Sequence, residues 1–265
     1  MPGEHAAYVE EQKILVYRGN GFSEESVPVV QEVSLRICLN GTEMVTIACN
    51  GNYVGELAVG FLRSEGFIET ASDIKKIEIS DDNRLVHVMT KADISQNRQK
   101  PYAPDSIESS GARGWRREGA APCRKDMLAQ EIFITPQNVF GLMERFVDVS
   151  RLHQVTGGTH SAALIDGDRI LAVREDIGRH NTIDMLGGYA LLNGIDCSDK
   201  VIVRTGRISA EIVHKVWNLG VPVMISLSVP TSMAVHLCKE AGITLIGSVR
   251  GGRMNVYSHE WRIEN

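Results

Sequence analysis

Apolar and polar residues alternate in two runs near the start of the chain, residues 29–39 (VVQEVSLRICL) and 43–49 (EMVTIAC), joined through Asn40-Gly41. A period of two marks half-buried strands and Asn-Gly favours a tight reversal, so this pattern predicts an antiparallel pair. The period changes over residues 55–64 (GELAVGFLRS), where Leu57, Phe61 and Leu62 share one helical face and Gly66 offers a stop. Strand-like spacing returns in residues 74–80 (IKKIEIS) and 84–90 (RLVHVMT), on either side of Asp81-Asp82-Asn83. Together these elements predict a small α+β domain over residues 1–92.

Residues 93–126 read differently, because apolar content falls to little more than Ile94 and Ile107 while Pro101, Pro104, Gly111, Gly114, Gly119 and Pro122 punctuate the segment. It reads as a long irregular loop, either a solvated linker or a functional lid. Residues 127–265 then alternate strand and helix. Thr135-Pro136 is a cap followed by a first-turn proline that opens a helix to about Val147. HSAALI and RILAVRE form a hairpin around Asp166-Gly167-Asp168; RHNTIDMLGGYALL, SAEIVHKVWNL and TSMAVHLCKEA are helical, and VIVR, VPVMIS and ITLIGSV are strands. The fold class is therefore α/β (α+β overall), the larger domain being a mixed sheet with helices on both faces. Its ligand site is expected beyond the carboxyl ends of the parallel strands.

Composition confirms an ordinary folded chain: of 265 residues, 43% are hydrophobic and 23% charged. Lys+Arg 28 against Asp+Glu 33 gives a formal charge of −5, which argues against a polycationic grip on nucleic acid. No apolar run approaches a membrane span, and the start lacks a signal-peptide pattern, so a cytoplasmic location without membrane attachment is expected.

Candidate chemistry sits in four Gly-containing polar segments at strand ends or turns: Val155–Leu164, Glu175–Asp184, Arg204–Ser209 and Gly247–Tyr257. Glycine admits close backbone approach while amides, helix N-termini and arginine forks donate, a combination suited to phosphate or diphosphate. A single Gly-Arg turn is commonly structural; four at the edge of one sheet point to a site. Within them, Gly157, Gly158, His160, Arg204 and Arg207 are candidate anion ligands. His160 follows the Gly157-Gly158-Thr159 turn and either faces a cleft or bonds the turn backbone. Asp176, His180 and Asp184 are spaced four apart and, on a helix, would form one polar line, for ligand positioning or for capping of the helix start by Glu175 and Asp176. One imidazole among them is too few for a metal site, and no intrinsic metal is expected.

The five cysteines, Cys38, Cys49, Cys123, Cys197 and Cys238, are odd in number and unpaired in spacing, which does not suit a disulfide framework or a thiolate zinc site. Cys38, Cys49 and Cys238 fall in apolar surroundings as small core residues. Cys123 stands between Pro122 and Arg124-Lys125, and neighbouring positive charge favours the thiolate, making it the candidate nucleophile. Residues 113–125 hold five basic side chains, Arg113, Arg116, Arg117, Arg124 and Lys125, against Glu118, with Trp115 between them.

Taken together, VTGGTHSAAL, EDIGRHNTIDMLGG, RTGRISAEIV, VPVMISLSVPTSMAV and ITLIGSVRGGRMNVYSH resemble the formate dehydrogenase accessory proteins, the FdhD-type sulfurtransferases, over about residues 29–259. The resemblance implies a cytidine deaminase-like larger domain and a homodimer. It also implies a role receiving persulfide sulfur from a cysteine desulfurase and passing it to the molybdenum bis(molybdopterin guanine dinucleotide) cofactor of formate dehydrogenase. Ser248, Val249, Arg250, Gly251, Gly252 and Arg253 match the part of the family pattern assigned to cofactor contact.

The chain departs from that pattern where the family commonly carries Cys-Gly-x-Cys-Gly or Ser-Gly-Cys-Gly: it reads ESSGARGW over Glu108–Trp115 and has no thiol there. Either Cys123 takes the role from a shifted position, or the chain binds cofactor and client as a chaperone without relaying sulfur. A zinc deaminase is disfavoured because H-x-E and P-C-x-x-C are both missing. A dinucleotide oxidoreductase is disfavoured because no G-x-G-x-x-G links a strand to a helix.

Overall fold

The structure of the protein is a computed structural model, which describes residues 8–91, 113–114, 126–128 and 131–264. Strands β1 (Val9–Tyr17) and β2 (Phe22–Val30) form a separate antiparallel ribbon. A five-stranded sheet follows, ordered β5-β6-β3-β4-β7, from β3 (Val33–Leu39), β4 (Thr42–Cys49), β5 (Ile74–Ile79), β6 (Leu85–Thr90) and the short β7 (Arg113–Gly114). Helix α1 (Val54–Ser64) covers it, burying Leu57, Phe61 and Leu62 among Leu35, Ile37, Ile47, Val86 and Val88. Asn40 adopts φ 49° in the β3–β4 turn, the left-handed geometry that Asn tolerates better than bulkier residues.

The second sheet has six strands ordered β13-β12-β11-β10-β8-β9: β8 (His160–Asp166), β9 (Arg169–Asp176), β10 (Val201–Arg204), β11 (Val223–Ser226), β12 (Thr244–Arg250) and β13 (Arg253–Ser258). Strands β10, β11 and β12 run parallel, while β8, β9 and β13 pair antiparallel at the flanks. Every residue of β10 and β11 is buried, as a strand covered on both faces requires. One face receives α4 (Arg179–Leu192), α5 (Ala210–Leu219) and α6 (Ser232–Ala241) through Ile183, Leu186, Ile212, Val216, Trp217 and Cys238. The other receives α2 (Pro136–Val149) through Val139, Leu142, Met143 and Phe146. The mixed α/β class and helices on both faces thus match the expectation from sequence.

Three elements lacked a readable period. Strands β1 and β2 are largely exposed on both faces, so no alternation marks them, and Val29-Val30 belongs to this ribbon and not to β3. Helix α3 (Arg151–Thr156) is too short for a 3.6-residue pattern. Strand β13 lies at the sheet edge after the Gly251-Gly252 turn and is mostly half-buried. The two sheets meet at α1 and α4. A Cβ on Gly60 would overlap the Asp184 carbonyl and one on Gly188 that of Glu56, so both glycines are required for this close crossing. Polar bonds seal the same junction: the Asn50 amide donates to Asp176 at 2.7 Å, Arg174 pairs with Glu56 at 2.8 Å, and Lys215 donates to Ser64 Oγ at 2.9 Å.

Candidate anion-binding site

Parallel strands leave their last residues and following turns at one edge, and three such turns converge there with the start of β8. The backbone after β10 continues as Thr205-Gly206, that after β11 as Leu227-Ser228, and β12 ends at Arg250. These turns are cross-braced: the Thr205 amide donates to the Ser161 carbonyl at 2.9 Å, the Leu227 amide to the Arg204 carbonyl at 3.2 Å, and the Ser248 amide to the Ser228 carbonyl at 3.0 Å. A cavity of about 380 Å³ opens between them, walled by His153, Gly157 to His160, Thr205, Gly206, Leu227, Ser228 and Arg250. Helix α3 brings His153 to the rim, where Nδ1 donates to the Thr159 carbonyl. Glu175 fixes α3 by accepting from the Leu152 and His153 amides at 3.0 and 2.9 Å and from Ser161 Oγ at 3.1 Å.

The electrostatics of this edge favour an anion. Arg204 is 0% exposed, and its Nη1 and Nη2 meet no acceptor among the described residues; its Nε donates to the Thr205 carbonyl at 3.0 Å. Burial pushes the guanidinium down to about 9, with the Arg179 charge adding to the effect. His160 is held neutral, its imidazole pushed down to about 4, first by burial and then by Arg204, Arg179, His153 and His180. The Thr159 hydroxyl is buried and also has no partner among the described residues. Unsatisfied donors gathered under positive charge are costly in isolation and become favourable when an oxyanion accepts from them. No group of three or more His, Cys, Asp or Glu among the described residues is placed to hold a metal ion.

Within the Arg/Gly segment, Arg250 reaches the cavity, whereas Val249 is 2% exposed in the core beneath α2, because strand alternation turns it to the opposite face. Ser248 sits at a bulge with φ 55°, and Gly251 and Gly252 make the β12–β13 turn, both with positive φ. Arg253, paired with Arg250 across that turn, and Arg207, exposed after β10, are not among the cavity walls. Gly157, Gly158 and His160 are, and the buried Arg204 lies close to His160 and Gly206 without being among the walls.

The polar line Asp176–His180–Asp184 does not form. Asp176 is the last residue of β9, and α4 begins three residues later. Its carboxylate instead accepts from the Asn50 and Gly178 amides and the Asn181 side chain, while burial raises it to about 6. His180 pairs with Glu211 on α5 at 2.8 Å, and Asp184 with Lys215, so neither faces the cavity. Glu175 caps α3, not α4.

Cys38, Cys49, Cys197 and Cys238 are all buried, and burial raises their thiols, Cys197 to about 11 and Cys49 to about 12. They are poor nucleophiles in this state. Cys123 and most of the Glu108–Trp115 segment lie outside the described residues; Arg113–Gly114 pairs with β4 as β7.

Residues 30–264 match the FdhD/NarQ family. The chain belongs to that family. It is 39% identical to a sulfur carrier protein FdhD of Bacillus subtilis over 249 residues, covering 93% of this chain and 94% of that protein. It is 37% identical to a sulfur carrier protein FdhD of Staphylococcus haemolyticus, covering 96% of each chain. The fold is shared with a crystal structure from Desulfotalea psychrophila, provisionally assigned as a formate dehydrogenase accessory protein. The TM-score is 0.78 at 23% identity, covering 97% of this chain and 100% of that one.

Proposed function

We propose that this chain is a sulfur carrier for formate dehydrogenase. In this reading it takes persulfide sulfur from a cysteine desulfurase and delivers it to the molybdenum bis(molybdopterin guanine dinucleotide) cofactor. The observation that carries the reading is the cavity at the carboxyl ends of β10, β11 and β12, where Gly157, Gly158, Thr159, His160 and Arg250 converge above Arg204. Backbone amides at glycine turns and a guanidinium suit the diphosphate of a guanine dinucleotide, and they explain an anion site in a chain of net charge −5. Cys123, flanked by Arg124 and Lys125, is the proposed sulfur-bearing residue, since persulfide relay needs an accessible thiolate and the four described cysteines are buried. A homodimer working in the cytoplasm completes the reading; among the described residues no helix is long and apolar enough to cross a membrane.

The second reading, a cofactor-binding chaperone without a relay, is favoured by one observation: the absence of any thiol in ESSGARGW. Mass spectrometry after incubation with a cysteine desulfurase and cysteine separates the two. The relay predicts a gain of one sulfur atom, mapped to Cys123 and abolished in Cys123→Ala, together with loss of formate dehydrogenase activation. A Cys123→Ala protein that still activates formate dehydrogenase as well as the parent rejects the relay and leaves the chaperone.

A further inference from the structure

Arg204 presents an inconsistency that the cavity alone does not resolve. Its terminal nitrogens are buried without an acceptor among the described residues, yet Arg204 is not part of the cavity wall. His160 and Gly206 stand at that wall. The backbone of Gly206, at φ +78°, brings the two side chains to one point: a Cβ built there would lie 2.8 Å from His160 Nδ1 and 3.6 Å from Arg204 Nη2. The imidazole thus lines the cavity on one side and lies beside the guanidinium at Gly206. An uncharged ring is what this position requires, since an imidazolium would face Arg204, Arg179 on α4, His153 on α3 and His180 on α4. The neighbouring acids are engaged elsewhere, Glu175 by α3, Asp176 by Asn50 and Asn181, and Glu211 by His180.

We infer that His160 is a latch over Arg204, and that an oxyanion ligand gains the guanidinium fork when the imidazole swings out of the space beside Gly206. This rests on the reading of the cavity as an anion site, and it adds the order of engagement. Arg250, exposed at the mouth, meets the anion first; Arg204 closes on it once the ring has moved. A closed latch lowers the apparent affinity by the fraction of time it is open, and also keeps small anions from occupying the fork permanently. Glycine at 206 is part of the device, because a side chain there would push the ring away.

Two measurements test it. Inorganic pyrophosphate binding by calorimetry is expected to tighten about tenfold in His160→Ala, and the gain is expected to vanish in His160→Ala with Arg204→Met, all variants being checked for parental circular dichroism. Methylglyoxal adds to accessible guanidinium groups, and peptide mapping is expected to show Arg204 protected in the parent and in His160→Phe but modified in His160→Ala. Tightening that survives the loss of Arg204, or equal protection of Arg204 in parent and His160→Ala, overturns the latch. Pyrophosphate binding to neither protein, with Arg204 newly modified in His160→Ala, shows that the ring shields Arg204 but overturns the engagement of an oxyanion by the fork, and with it the anion-site reading.

Discussion

At the scale of single residues, His160 links the site to the stability of the fold. Its imidazole titrates near 4 when folded against an ordinary value of 6.5, so between these pH values the unfolded chain binds a proton that the folded protein does not. Stability attributable to this ring is therefore intact above about pH 6.5 and falls as pH drops toward 4. Asp176 works the other way: raised to about 6 from 3.8, it favours the protonated folded state and opposes His160 where the windows overlap. Substituting His160→Gln removes one of the two. Urea unfolding at pH 7 and pH 5 is expected to show the variant gaining on the parent by on the order of 1 kcal/mol at the lower pH, a value reduced from full linkage because the ring is partly exposed. An unchanged difference between the two pH values would show that the ring titrates normally. His160 was identifiable in the sequence as the residue after a Gly-Gly-Thr turn, yet its two open orientations, cleft or backbone, are decided by Gly206 and Arg204, which lie more than forty positions away.

At the scale of elements, periodicity served best where one face is buried. Helices α1, α2 and α5 each bury a stripe, and their spans follow from the spacing of Leu57 and Phe61, Val139 and Phe146, or Ile212 and Val216. Helix α4 is buried nearly all round, including Asn181, Thr182 and Asp184, so its sequence shows no stripe and its polar residues do not stand out as structural. The polar groups belong to the junction between the sheets, which no local pattern reveals. The same helix carries Gly187 and Gly188, indistinguishable in sequence and unlike in the fold. A Cβ at Gly188 meets the Glu56 backbone, whereas one at Gly187 would lie 3.0 Å from Leu219 Cδ2, a side chain able to yield. Gly188→Ala and Gly60→Ala are accordingly expected to destabilise by about 2–4 kcal/mol and Gly187→Ala by roughly 1 or less, read from urea midpoints. Equal losses at positions 187 and 188 would contradict the backbone-to-backbone crossing.

At the scale of the whole molecule, the sequence suggests separate halves around an irregular segment, and the contacts join them. Met185 of α4 is buried among Leu57, Phe61 and Val88, in the core under the five-stranded sheet. Arg174 of β9 holds Glu56 of α1 and stacks over Tyr53, 3.8 Å from the ring centroid. The Asn50 side chain donates to the Glu175 carbonyl at 2.9 Å, fixing the strand that carries the α3 cap and hence one wall of the cavity. The Asn50 bond is buried and the Arg174–Glu56 pair partly buried, so opening either sheet would strand polar groups in the other. The two cores are therefore expected to unfold together. Native-state hydrogen exchange should give β3 and β11 amides opening free energies that agree within about 1 kcal/mol, and Gly60→Ala, which strains only the α1–α4 crossing, should lower both by the same amount. A loss confined to β3 would mean that the five-stranded sheet opens alone, and that the wall of the cavity is held by the six-stranded sheet without help from Asn50 and Glu56.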